Sequence, residues 1–257
     1  FFFQPEDGIR DSVASRGLGD VYKRQIILKK KNDKIFTIHI QDPKVSFKNF
    51  DLVVAPEHDN LVGENVISSK GAIHYITKDE IEKANSYLSD KINNKKIVSL
   101  ILGGPNKYYN FGNEELTKIF NKVRSNFISI GYKIIIIPSM RTPKRIIDLA
   151  NKEFLSEGYV VNSVDKQAYL ASLALANKIV VTCDSTSMIS EAAASGKPIF
   201  IARMQPKMNN YRFERFFHLF REMGITRNLE EKVENWSYKH FNEAERIAPM
   251  IHSKLSN

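Results

Sequence analysis

The sequence predicts an α/β fold in which a parallel sheet is covered by helices on both faces. Three observations carry this. From Lys96 onward, apolar runs of strand length alternate with stretches of helical period. The strand runs are near-continuous Ile, Val and Leu, as in Ile97-Val98-Ser99-Leu100-Ile101-Leu102, which suits strands buried on both faces. The run Val180 to Pro198 reads as a buried strand, a short polar turn, a small-residue helix, a glycine stop and the approach to another strand.

Taken in order, residues 34–40, 51–55 and 72–76 read as strands and 79–92 as a helix. These are too few βα units for an independent doubly wound domain. Residues 26–95 are therefore expected to be the remnant of an N-terminal domain whose opening strands are missing, with the polar stretch Lys91-Ile92-Asn93-Asn94-Lys95-Lys96 as linker. Residues 96–240 form the C-terminal domain. Its first strand, 97–102, ends at Gly103-Gly104-Pro105-Asn106. Helix 113–130 follows, with Leu116, Ile119, Phe120, Val123 and Phe127 on one face and Gly131 as its stop. Strand 132–137 ends at Pro138. Thr142 and Pro143 are expected as N-cap and first residue of helix 143–155. A short strand at 159–161, a helix at 166–176 and strands at 178–182 and 199–202 complete the rhythm. Helices are expected at 212–223 and 243–255, the second within a C-terminal segment, 241–257, that packs back on the N-terminal domain.

Residues 1–25 (FFFQPEDGIRDSVASRGLGDVYKRQ) show no helix or strand period and resemble translated sequencing-adaptor read-through. They are treated as non-native, so that the native chain begins near Ile26. What remains, about 230 residues, fits one large domain or two small ones. No apolar run approaches the ~20 residues that span a bilayer. The single Cys183 excludes an intramolecular disulfide, and no Cys/His cluster has zinc spacing. These features suggest a cytoplasmic protein, at most peripheral at the inner face of a membrane. The net charge of +9 comes largely from Lys spread along the chain with Asn and Ile, so no nucleic-acid partner is inferred from it. Arg203, Lys207, Arg212, Arg215 and Arg221 form a denser group, a candidate basic patch.

A polar turn that opens a helix at the carboxyl end of a strand is where open α/β sheets place ligands, and the helix N-terminus favours an anion. Asp184, Ser187 and Glu191 fall at spacings of three and four and share a helix face, opposite Met188, Ile189, Ala192 and Ala193. The plainer reading is a βα turn capped by Asp184 or Ser185. Gly103-Gly104-Pro105-Asn106-Lys107 would let a backbone approach a ligand, with Lys107 meeting a phosphate, or it is simply a tight turn. It lacks the Gly-Lys-Ser/Thr of a Walker loop and the third Gly of a dinucleotide fingerprint. Arg141, after the second strand, would pair with a diphosphate or with a surface carboxylate. His58 and Asp59, after strand 51–55, would act as general base on an acceptor hydroxyl if they face an interdomain crevice, or form a capped turn.

The strings Pro56-Glu57-His58-Asp59, Gly71-Ala72-Ile73-His74, Gly103-Gly104-Pro105-Asn106-Lys107 and Asp184 through Pro198 occur in this order in the Elm-type (elongated-mitochondria) family, which the chain resembles from Ile35 to Leu255. Trp236-Ser237-Tyr238 and Asn242-Glu243-Ala244 resemble that family's ending. The resemblance implies two Rossmann-like domains of GT-B type, the N-terminal one truncated here. It implies a metal-independent glycosyltransferase of the bacterial branch, with no tightly bound cofactor, that uses a nucleoside-diphosphate sugar and a cell-envelope or lipid-linked acceptor. It further implies Glu191 at ribose hydroxyls, Ser185, Thr186 and Ser187 by the diphosphate, and Gly103, Gly104 and Arg141 completing the pocket. The alternative is a non-enzymatic docking protein of the same fold that recruits a dynamin-related GTPase through residues 203–221.

Overall fold

The computed structural model describes residues 14–92 and 96–255. Residues 1–13 and Asn93, Asn94 and Lys95 of the expected linker lie outside the described residues. Two parallel sheets organise the chain. The smaller has three strands in the order β1 (Ile38–Ile40), β2 (Leu52–Pro56) and β3 (Val66–Ser69). The larger comprises β4 (Ile97–Leu102), β5 (Lys133–Pro138), β6 (Gly158–Val160), β7 (Lys178–Thr182), β8 (Ile199–Ala202) and β9 (Thr226–Asn228), in the order β6-β5-β4-β7-β8-β9. β4 is central. It pairs with β5 through Leu100 and Ile136, and with β7 through Leu100 and Val180. All six residues of β4 and all five of β7 are buried, so the unbroken apolar runs correspond to strands sandwiched between helical layers.

The helices of this half are α3 (Asn113–Asn126), α4 (Lys144–Phe154), α5 (Lys166–Leu175), α6 (Thr186–Ala193) and α7 (Tyr211–Glu222). Leu116, Ile119, Phe120 and Val123 of α3 are buried, and Phe120 meets Phe154 of α4 edge-on with ring centroids 5.3 Å apart. Each such side chain contributes roughly 1.5–3 kcal/mol by leaving water. The expected helix 113–130 is divided. α3 stops at Asn126, and a 3-10 turn, Ile128–Ile130, reaches Gly131, whose φ of +90° reverses the chain. Thr142 does not cap α4. Its hydroxyl bonds the carbonyls of Leu102 (3.0 Å) and Gly103 (2.6 Å) and accepts the Ser139 N–H, which leaves Pro143 at the cap.

The N-terminal half departs further from the sequence reading. The third strand is Val66–Ser69, and residues 72–76 are irregular rather than a strand. Their polar groups are taken by α6 instead of a ladder: the Ala72 N–H donates to Ser190 Oγ (3.0 Å), and His74 Nε2 lies 3.1 Å from the Ser190 carbonyl. α2 covers only Lys78–Lys83, opened by a Thr77/Glu80 capping box. Beyond it, Leu88 and Ile92 still bury themselves, but the Asn, Ser and Asp around them favour turns.

α1 (Ala14–Lys31) runs through the segment read as aperiodic. Its second half packs Tyr22 and Ile26 beside Phe50, Val53 and Ala55. Lys29 pairs with Asp51 at 2.6 Å, and Gln25 bonds the Ile38 carbonyl. On the other face of the small sheet, Ile247 and Ile251 of α8 (Glu243–Leu255) cover Leu52, Val54 and Ile67. Buried Glu243 accepts the Lys70 N–H (2.7 Å) and pairs with Arg246, which bonds the Ser68 carbonyl. Among the described residues no helix is long and apolar enough to cross a membrane.

Candidate functional site

Numbered within its own sheet, the strand order of the larger sheet is 3-2-1-4-5-6, which reverses direction between β4 and β7. Ligands of open α/β sheets bind outside the carboxyl ends of the strands at such a reversal. A cavity of about 270 Å³ opens there. Ile101 of β4 and Ile137 and Pro138 of β5 form its base, the loop Ser139-Met140-Arg141 one wall, and Ser185, Ser187, Met188 and Glu191 another. The start of α5, with Val164, Asp165, Lys166 and Tyr169, and the irregular Tyr75-Ile76 close it.

Ser185 is the N-cap of α6, extended at φ −143°, with its Oγ accepting the Met188 N–H. Asp184 therefore precedes the helix, and Ser187 and Glu191 face the cavity from its first two turns. Met188, expected on the packed face, is half-buried: it touches the core and also lines the cavity. Thr186 is buried and turned away from the lining.

Under this wall lies a polar lock. Asp184 is fully buried and pairs with Arg141 at 2.9 Å, and its Oδ2 also accepts the Gly104 N–H at 2.9 Å. Burial pushes the Asp184 carboxyl up, while Arg141 and the Gly104 amide oppose that shift. Arg141 also donates to the Gly104 carbonyl (3.1 Å), and the Gly103 N–H goes to Thr182 Oγ1 (2.8 Å). A methyl group on Gly103 would land on the Asp184 carboxylate, and one on Gly104 on the Arg141 carbonyl. The two glycines thus admit neighbouring loops. Asn106 completes the lock, donating to the Asp184 carbonyl (3.0 Å) and accepting the Tyr108 and Tyr109 amides.

Opposite the lock, the Tyr169 hydroxyl is buried within electrostatic reach of Glu191. Burial and that carboxylate push the phenol well above its ordinary value. Asp165 caps α5 through the Ala168 N–H and accepts the Tyr87 hydroxyl (2.8 Å). Lys166 lies 4.5 Å above the Tyr75 ring. Tyr169, Asp165, Lys166 and Tyr75 were not singled out in the sequence. For Asp165, Lys166 and Tyr169 the only signal was position, the N-cap and first turn of a helix that follows a strand of this sheet; Tyr75 lies in the irregular segment before α2.

The structure thus brings Arg141, Ser185, Ser187 and Glu191 to the cavity and sets Gly103, Gly104, Asn106, Asp184 and Thr186 behind it. Lys107 stands elsewhere, over the Tyr108 ring at 5.1 Å. His58 and Asp59 do not line the cavity. His58 is buried in a 3-10 turn (Glu57–Asp59) against Phe216 of α7, with ring centroids 5.3 Å apart. Burial and the nearby Arg212 guanidinium lower its pKa to about 4. Asp59 pairs with Arg212, and Arg215 bonds the His58 carbonyl. The expected basic patch is likewise engaged: Arg203 pairs with Glu214, Arg221 with Glu231, and Lys207 bonds the Asn106 carbonyl.

The family described as mitochondrial fission ELM1 matches residues 22–255. The chain belongs to that family. Among ELM1 relatives, the mitochondrial fission protein ELM1 of Arabidopsis thaliana is 26% identical over 255 residues, covering 88% of this chain and 59% of the plant protein. An uncharacterized protein of Rickettsia prowazekii is 29% identical over 272 residues, covering 87% and 74%. The chain thus spans little more than half the length of its plant relative. Among solved structures, the UDP-GlcNAc 2-epimerase of Methanocaldococcus jannaschii superposes with a TM-score of 0.50 at 14% identity, covering 95% of this chain and 84% of the epimerase. The chain therefore shares the GT-B, Rossmann-like fold of such enzymes.

Proposed function

We propose that the cavity holds the nucleoside-diphosphate part of a nucleotide-sugar donor, and that the protein transfers the sugar to a lipid-linked or cell-envelope acceptor without a metal. The observation that carries this reading is the convergence of the α6 N-terminus, Ser185, Ser187 and Glu191 on one cavity at the strand-order reversal. Glu191 accepts the ribose hydroxyls. The helix terminus and the two serines take the diphosphate, and Lys166, an exposed cation in the lining, shares its charge. Charge developing on the leaving diphosphate is met by these fixed dipoles. The likeness to an enzyme named for UDP-GlcNAc supports a nucleotide-sugar ligand through fold alone. With His58 packed on Phe216 and Asp59 on Arg212, that pair fastens α7 and receives no base role in this reading.

Titration calorimetry with uridine, guanosine and cytidine diphosphates and their sugars tests the proposal. One nucleotide binds saturably, and Glu191→Gln weakens it at least about tenfold, the cost of losing a hydrogen bond to a charged group. A folded protein that binds none of them overturns it.

The second reading, a docking protein for a dynamin-related GTPase, draws on the family's fission description and the plant relative's name. Its expected surface, residues 203–221, offers arginines already engaged within the chain. Sugar release from a bound donor, in the presence of acceptor lipid, separates the two readings.

A further inference from the structure

A second cavity, of about 180 Å³, shares no residue with the first. It lies between α7 and the β8–β9 edge of the large sheet and is lined by Arg203, Arg221, Arg227, His218, Glu214 and Asn228 over an apolar base. Three guanidinium groups on so small a space need an explanation, because like charges repel unless something holds them. Each is held by neighbouring side chains. Arg203 lies 4.3 Å above the Phe217 ring, and Arg227 lies 4.5 Å above Trp236. Glu231 grips Arg221 with both oxygens, at 2.5 and 3.0 Å, and Glu234 holds Arg227 at 2.6 Å. Glu231 is itself fixed by the Asn228 N–H, and the Arg221 guanidinium keeps its carboxyl ionised by lowering its pKa.

Glu231 and Glu234 do not line the cavity; Glu214, paired with Arg203, is the one carboxylate that does. The walls therefore present three guanidinium groups, each paired with one carboxylate, and the His218 imidazole, 3.2 Å from Glu222. The ion pairs use Nη2 of Arg203, Nη1 of Arg227 and both Nη of Arg221, so N–H groups of all three forks remain for another acceptor. The singly bonded, partly exposed pairs of Arg203 and Arg227 contribute little to stability, so an incoming anion competes with them at small cost. Guanidinium forks oriented by aromatic faces match the oxygens of a phosphoryl group.

We propose that this cleft is a phosphoryl-binding site, separate from the nucleotide cavity, for the phosphate or diphosphate of a small soluble molecule or of a lipid headgroup. Arg203, Arg221 and Arg227 hold the oxygens, and Asn228 adds a neutral donor.

The test uses the full chain at low salt, with inorganic pyrophosphate as probe. Calorimetry gives a saturable binding event that Arg227→Gln and Arg221→Gln each weaken at least about tenfold, as loss of a charge-assisted bond requires. Glu191→Gln leaves it unchanged. The exposed Arg221 variant guards against a folding defect at Arg227, which also packs on Trp236. Cosedimentation with phosphatidylcholine vesicles carrying phosphatidic acid, lost in the same variants, assigns the lipid headgroup. Pyrophosphate binding without cosedimentation assigns a soluble ligand. No saturable binding, binding indifferent to both arginine variants, or binding lost in Glu191→Gln overturns the proposal. Binding lost in Glu191→Gln places the probe in the first cavity; the other outcomes leave nucleotide binding to that cavity's own titration.

Discussion

Asp184 shows how far one side chain organises this site without facing it. Its carboxylate joins three loops, those ending β4, β5 and β7, through Gly104, Arg141 and its own backbone. Removing one partner of a buried ion pair strands the other, at about 3–5 kcal/mol. Asp184→Ala and Arg141→Ala are each expected to lower unfolding stability by that amount in urea titrations. Arg141→Met with Asp184→Leu loses less than either single change, because no charge is left alone. Gly103→Ala drives a methyl into the same carboxylate and destabilises by several kcal/mol, whereas Gly112→Ala, which meets open space and changes only the N-cap of α3, costs about 1 kcal/mol. From sequence, the Gly-Gly pair and Arg141 were legible as special. Their preference for each other's loops over a ligand was not, because a close approach between segments 80 residues apart leaves no local pattern.

At the level of elements, the six-stranded sheet was legible and the three-stranded one only partly. β4, β5 and β7 announce themselves because burial on both faces forces unbroken apolar runs. β9 (Thr-Arg-Asn) has no such run; it is an edge strand, and only its pairing with β8 defines it. Residues 72–76 carry strand-like composition but spend it on contacts with α6, so composition alone misplaced the third strand. α1 was hidden by its two glycines, and tertiary contacts through Tyr22, Gln25 and Lys29 override that penalty. α8 is the element whose removal is most informative. Ile247→Ala opens a cavity under Leu52, Val54 and Ile67 and costs about 2–5 kcal/mol. Hydrogen exchange is expected to speed up in β1–β3 well before β4–β8.

On the scale of the whole molecule, the junction between the two sheets is sensitive to acid. His58 stays neutral in the fold with a pKa of about 4, and its value in the unfolded chain is about 6.5. Between those values the unfolded chain binds more protons, so stability falls as pH drops from about 6.5 to 4, by up to about 3 kcal/mol. Burial lowers His39 and His74 in the same direction. Urea midpoints measured from pH 7 to 4 show this decline, and His58→Phe, which keeps a ring against Phe216, makes it shallower. A curve unchanged by that substitution removes His58 as its cause. The α8 cover over the small sheet has a further consequence, for how the chain is made. β2 leaves the ribosome early, but the Ser190 that fastens Ala72 comes 118 residues later, and Ile247 later still. At roughly 5–20 residues per second, the apolar face of β1–β3 stays uncovered for on the order of ten seconds or more. During that interval the nascent chain offers a sticky, unpaired sheet, so its yield in cells depends on chaperone occupancy as well as on the final fold.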